Sequence, residues 1–200
     1  MIHLICNILL SVSETPAILL RLRAETHPYH EAVEQNAFNQ ALAAGSVTAT
    51  HTAWFLAKLY GFVQPIEAVL RAHAAEFEPA WQLDERYRAT WLLEDLARLS
   101  YAGTPPQCPA LPPLHSWPQR LGALYVLEGS TLGGQIIARQ LTKAGLEAGA
   151  YFTGRAERTG PLWKSFCQQL GAAGTTANQS AIAGSAIHTF QTLSAWFNQP

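Results

Sequence analysis

The chain has 200 residues, 48% of them apolar and 14% charged, with a formal net charge of −1. That length and apolar share suit one folded domain with a sizeable core and exclude a disordered chain. The near-neutral balance argues against nucleic acid as a main partner, because phosphate binding requires a basic patch.

The first stretch, Met1–Val12, is apolar but interrupted by Asn7. It is far shorter than the ~20 apolar residues of a membrane span. It lacks the basic flank and small-residue cleavage site of a secretory signal. Residues 1–14 are therefore expected to form a packed or frayed N-terminal extension, with a weak secretory signal as the alternative and no membrane partner. Cys6, Cys108 and Cys167 are scattered and form no CxxC pair. That pattern points away from zinc and from a disulfide framework, and it fits a reducing, cytoplasmic location.

Helical signals follow in order. Thr15 is expected to cap a helix with Pro16 at its first position. Apolar residues then recur through Leu19, Leu22, Tyr29, Val33 and Phe38. Pro28 should kink or split this segment, which ends at Gly45. Thr48 caps a second helix, about His51 to His73, bent at Pro65. A third runs from about Asp84 to Leu99. Residues 102–118 hold Gly103 and six prolines and read as the one long loop. A long helix from Pro118 to about Ala144, closed by Gly145, comes next. Shorter helices fit Pro161–Leu170 and, after a glycine-rich link, Asn178–Phe197. No strand alternation competes, so the expected class is all-α, with residues 15–200 forming one domain.

The long helix carries Gly122, Gly129, Gly133 and Gly134. Each costs roughly 1 kcal/mol relative to alanine. On one continuous helix, Gly122, Gly129 and Gly133 fall within about 40° of one another. Such a bare stripe is expected where a flat ligand or another backbone comes close.

Several chemistries fail on spacing. No glutamate is followed by a histidine at the third position, which excludes the paired motif of di-iron bundles. The glycine-rich segment lacks the GK[ST] ending of a P-loop and follows no strand. Ser130 lacks the G-x-S-x-G elbow of a serine hydrolase. What remains is Thr26-x-x-x-His30-x-x-x-Glu34, three residues on one helix face. A carboxylate one turn from a histidine can accept its Nδ1–H and leave Nε2 for a metal. An ordinary surface His–Glu pair has the same spacing, and His27 lies three residues before His30.

Thr-x-x-x-His-x-x-x-Glu on an early helix and Glu128-Gly-Ser-Thr-Leu-Gly-Gly-Gln135 on a later one together resemble the heme oxygenases. The likeness is greatest to the bacterial, biliverdin-producing type, including members associated with bacteriophytochromes. It extends from about Leu19 to Phe197 and takes in Leu22-Arg23, Phe38, Leu59-Tyr60 and Thr189-Phe190.

The resemblance implies a single all-α domain with heme held between a proximal and a distal helix. It implies His30 as the iron ligand, Glu34 as its hydrogen-bond partner and Thr26 beside them. It places Arg23 on a heme propionate, Phe38 against the heme plane and Tyr60 in the distal pocket. Gly129 and Gly133 become distal-helix glycines, with Gly134 alongside. Ser130 stands where animal-type members carry an aspartate that organises proton delivery. No Lys or Arg follows Lys164, which leaves His188 as the last-helix candidate for a propionate.

The implied activity is oxidative cleavage of heme, both substrate and cofactor, to biliverdin, CO and ferrous iron. O2 and an electron donor such as ferredoxin, flavodoxin or a reductase would be required, with Arg139 and Lys143 as docking charges. A phytochrome could accept the biliverdin. The alternative is a heme-binding protein of the same fold that stores, delivers or senses heme without turnover. A third reading is a helical protein whose glycine stripe only packs helices.

Overall fold

The structure, a computed structural model, describes residues 15–199. The expected extension at 1–14 lies outside the described residues.

Helix α1 (Ala17–Glu34) begins at Pro16, which is itself the N-cap; Thr15 is one position too early for that role. The helix continues unbroken through Pro28. An internal proline forfeits one backbone bond, and here Pro28 lies on the exposed side of a helix whose opposite face is buried. The break falls instead at Gln35–Asn36. The Asn36 side chain accepts from Asn39 N at 3.0 Å and starts α2 (Ala37–Ala43). Gly45, at φ +67°, turns the chain out of it.

Thr48 caps α3 (Ala49–Ala72) by accepting from His51 N at 3.2 Å. This helix is continuous across Pro65. The helix expected over Asp84–Leu99 is in fact two pieces: a 3-10 turn at Leu83–Arg86, then α4 (Ala89–Arg98). The reason is a cap supplied from a distance. Glu67 of α3 accepts from Arg88 N at 2.6 Å and Ala89 N at 3.3 Å, satisfying donors that a helix start leaves open. The proline-rich loop then lies directly on α3. A Cβ on Gly61 would collide with the Pro106 carbonyl, and Cys108 N donates to Gly61 O at 3.0 Å.

Ser116 and Gln119 form a capping box for α5 (Trp117–Gly129). The single long helix expected here breaks at Ser130–Gly133, and α6 (Gly134–Lys143) follows. Two hydroxyls assist the break: Ser130 Oγ donates to Leu127 O at 2.6 Å and Thr131 Oγ1 to Glu128 O at 2.7 Å. Such back-bonding competes with helix continuation, and the neighbouring glycines resist it little. A one-turn helix, α7 (Ala150–Thr153), carries no sequence signal of its own. The last two helices are α8 (Thr159–Ala173) and α9 (Gln179–Phe197). All the regular elements among the described residues are helical.

Helix α9 is the hub. It packs chiefly against α5 and α1, while α8 closes on the same two helices. The seam is made of Leu19, Leu22, Leu121, Ile182, Ala183 and Ala186, all buried. Gly122 lets α5 approach α9 closely: a Cβ there would lie 2.8 Å from Ala186 N. The result places the middle of α1 opposite the C-terminal end of α5, with α9 behind both.

Candidate active site

A cavity of about 450 Å3 lies between α1 and the α5–α6 turn, within the ordinary range for small-molecule sites. One wall is α1, presenting Arg23, Thr26, His27, His30 and Glu34. These recur at helical spacing, so a single face carries them all. The facing wall is the end of α5 and the turn, with Tyr125, Gly129, Ser130 and Leu132. Phe190 and Leu193 of α9 and Trp163 of α8 complete the apolar lining.

His30 Nδ1 stands 3.7 Å from Glu34 Oε1, an ion-pair distance longer than a hydrogen bond. Both side chains are about 30% exposed, at 29% and 31%. The imidazole packs edge-on to Phe190, with ring centroids 5.6 Å apart. His27 lies nearer the solvent, 43% exposed, and its Nδ1 is 3.4 Å from Glu31 Oε2. Thr26 is buried, and its hydroxyl donates to Leu22 O at 2.7 Å. Arg23 has a buried Nε with no hydrogen-bond partner among the described residues. A buried guanidinium nitrogen with an open donor, at an apolar cavity wall, suits an anionic group.

Across the cavity, a Cβ on Gly129 would meet nothing within 4 Å. The glycine therefore leaves open space on that wall. Its neighbour Ser130 accepts from Arg88 Nη2 at 2.9 Å. Beneath the turn, Glu128 is held by two buried arginines. Arg155 grips it with both terminal nitrogens, at 2.9 and 3.0 Å, and Arg86 donates to the same carboxylate. This cluster anchors the C-terminal end of α5 from the side away from the cavity.

Not every residue singled out in the sequence reaches this cavity. Phe38 is fully buried and stacks on Phe55, centroids 4.2 Å apart, so it belongs to the core. Tyr60 is half-buried on α3 and does not border the cavity. Gly133 is the N-cap of α6, and Gly134 faces the Phe152 carbonyl of α7, 2.5 Å from where a Cβ would stand. The broken helix is the cause, because the three-glycine stripe needed an unbroken one. His188 is also absent from the lining. Tyr125 and Trp163 were missed. Each sits at an apolar position of its helix, where a cavity-lining aromatic and a core aromatic look alike. Arg88 was missed because it is paired with Ser130 only by the tertiary fold.

Among the described residues, no group of three or more His, Cys, Asp or Glu side chains converges as a metal site. No described helix is long and apolar enough to cross a membrane.

Residues 17–199 match the family model described as heme oxygenase. A curated heme oxygenase from Xanthomonas campestris pv. campestris is 39% identical over 110 residues, covering 52% of this chain and 62% of that protein. The matched stretch thus spans somewhat under two thirds of that relative. Among solved structures, heme oxygenase from Leptospira interrogans superposes with a TM-score of 0.75 at 19% identity, over 90% of this chain and 98% of that one. A heme oxygenase from the cyanobacterium Synechocystis, solved in complex with heme, gives 0.67 at 15% identity, over 90% of each. These two likenesses establish the fold.

Proposed function

The chain belongs to the heme oxygenase family, and from that premise we propose that it binds heme between α1 and the α5–α6 turn and cleaves it to biliverdin, CO and ferrous iron. Heme is the substrate and also supplies the O2-activating iron. The observation that carries the reading is the pairing of His30 and Arg23 on one cavity wall with the side-chain-free Gly129 on the other.

Those residues fit such a ligand. His30 offers Nε2 to the iron, while the Glu34 carboxylate, one turn on and 3.7 Å from Nδ1, acts on the ring by charge rather than through a formed hydrogen bond. Neutral imidazole ligation is the choice made by several heme proteins. His27, more exposed and engaged with Glu31, is the lesser candidate. The unsatisfied Arg23 Nε takes a propionate. Gly129 keeps the opposite face flat, and Ser130 is the polar group nearest to it in sequence. Phe190, Leu193 and Trp163 exclude water from the rest.

Electrons come from a partner such as ferredoxin, flavodoxin or a reductase. Arg139 and Lys143, both exposed on α6, are the proposed docking charges. A phytochrome is a proposed acceptor of the product, and the cytoplasm the proposed location.

Hemin titration tests the binding half of the reading. The unaltered protein should take up one hemin with a histidine-ligated Soret spectrum. His30→Ala should lose that spectrum and His27→Ala should keep it. The reverse pattern would move the ligand to His27, and no uptake would remove heme from the account.

A further inference from the structure

By the resemblance, Ser130 takes the place of an aspartate of the animal-type family members, and the structure gives it a cationic partner of its own. Arg88 Nη2 donates to Ser130 Oγ at 2.9 Å and to Leu127 O at 2.8 Å. Ser130 Oγ donates to that same carbonyl at 2.6 Å. Leu127 O therefore has two donors, and Arg88 alone would satisfy it. The serine proton is spare.

Arg88 is well placed to hold its position. It is 3% exposed. Its backbone N–H is fixed by Glu67, and its guanidinium lies 4.3 Å from the centre of the Tyr151 ring. Among the described residues it makes no ion pair with a carboxylate within 4 Å, so its charge is not neutralised by direct contact. Ser130, by contrast, borders the cavity beside Gly129.

We propose that Arg88 and Ser130 act as a couple in which the buried guanidinium polarises the serine hydroxyl into a hydrogen-bond donor toward a small anionic ligand over Gly129. A hydroxyl hydrogen rotates freely to suit its acceptor. When it swings into the cavity, Oγ continues to accept from Arg88 and Leu127 O keeps Arg88 as its donor, so no buried group is orphaned. A hydroxyl that accepts from a cation is a stronger donor in turn. Arg88 is thus a positioning residue, and Ser130 is the group that meets the ligand. A serine held only as a helix-end back-bond would not need Arg88.

This inference rests on heme occupying the cavity, and its test separates the two. Fluoride is the probe: it binds ferric heme and accepts hydrogen bonds from the surrounding protein. It is titrated into the hemin complexes of the unaltered protein, Ser130→Ala, Arg88→Lys and Arg88→Met, followed by the visible spectrum. Ser130→Ala should weaken fluoride binding about tenfold, the loss of one hydrogen bond to a charged partner. Arg88→Met should weaken it similarly, and the double variant by no more than either alone. Arg88→Lys should recover part of the loss.

Fluoride affinity unaltered in Ser130→Ala overturns the couple while leaving heme binding standing, even if the Arg88 variants fail to fold. A loss in Arg88→Met that adds in full to that of Ser130→Ala also overturns it, because the arginine would then act independently. Failure of the unaltered protein to form a hemin complex overturns the reading beneath it, and the couple with it.

Discussion

Gly122 of α5 faces Ser185 of α9 so closely that a Cβ on the glycine would stand 2.7 Å from the serine Cβ. Gly129, two turns on, has nothing within 4 Å of the same point. The two glycines therefore answer to different demands, one to helix packing and the other to the cavity. Gly122→Ala is expected to cost about 1–3 kcal/mol through overpacking, or roughly 2–4 °C in Tm per kcal/mol for a chain of this size. Gly129→Ala should leave the ligand-free Tm nearly unchanged and weaken hemin binding. Thermal unfolding of both variants checks this. Equal destabilisation would show that the two glycines share one role.

Glu128 is the only carboxylate that the buried Arg86 and Arg155 contact among the described residues. Side-chain exposure is 1% for Glu128 and Arg86 and 4% for Arg155, so solvent can replace little of what the carboxylate supplies. Breaking a buried pair by removing one member typically costs about 3–5 kcal/mol. Glu128→Gln, which leaves two guanidinium groups facing a neutral amide, should fall in that range. Urea unfolding measures it. A loss below about 1 kcal/mol, the scale of surface pairs, would contradict the anchoring role.

Much of this was legible in the sequence, and several of the failures share one cause. Thr48, Gly45, Gly145 and the span of α9 follow from local chemistry: caps, left-handed turns and apolar periodicity. The cavity face of α1 follows from the i, i+4 spacing of Thr26, His30 and Glu34. What the local pattern could not carry was any feature decided by a distant residue. Helix α4 starts where Glu67 reaches across from α3, so the expected start at Asp84 was too early. The glycine helix is a local exception: it breaks where Ser130 and Thr131 bond back to their own turn, which removed Gly133 from the stripe. Phe38 lies on an apolar face as expected, but Phe55 is what it meets.

Arg23 brings a positive charge to the cavity wall without a hydrogen-bond partner for its buried Nε. Arg23→Gln should weaken hemin binding by about tenfold, the scale of one charge-assisted hydrogen bond. It should also flatten the salt dependence of binding, because the anionic end of hemin would lose its cation. Titrations at low and high ionic strength check both points. An unchanged affinity would place the propionates elsewhere.

Glu76 gives the fold an acid-sensitive contact away from the cavity. The Arg120 hydrogen bond is the main reason that its carboxyl is held below the ordinary value of 4.5, with His73 adding to the effect. The folded state thus releases this proton more readily than the unfolded chain. The linked stability is present above pH 4.5 and is lost as pH falls through the depressed folded value. Glu76→Gln should therefore be less stable than the unaltered protein at pH 7. The gap should narrow below pH 4.5, as read by denaturant unfolding at the two pH values. A gap independent of pH would assign the effect to packing.

The most direct test of the whole account is turnover of the hemin complex in air with an electron-donating system, followed by its absorption spectrum. The Soret band should give way to biliverdin absorbance, with CO released, and the His30→Ala complex should fail to do this. A Soret band that persists under continuous reduction in air would contradict it, leaving a protein that holds heme without opening it.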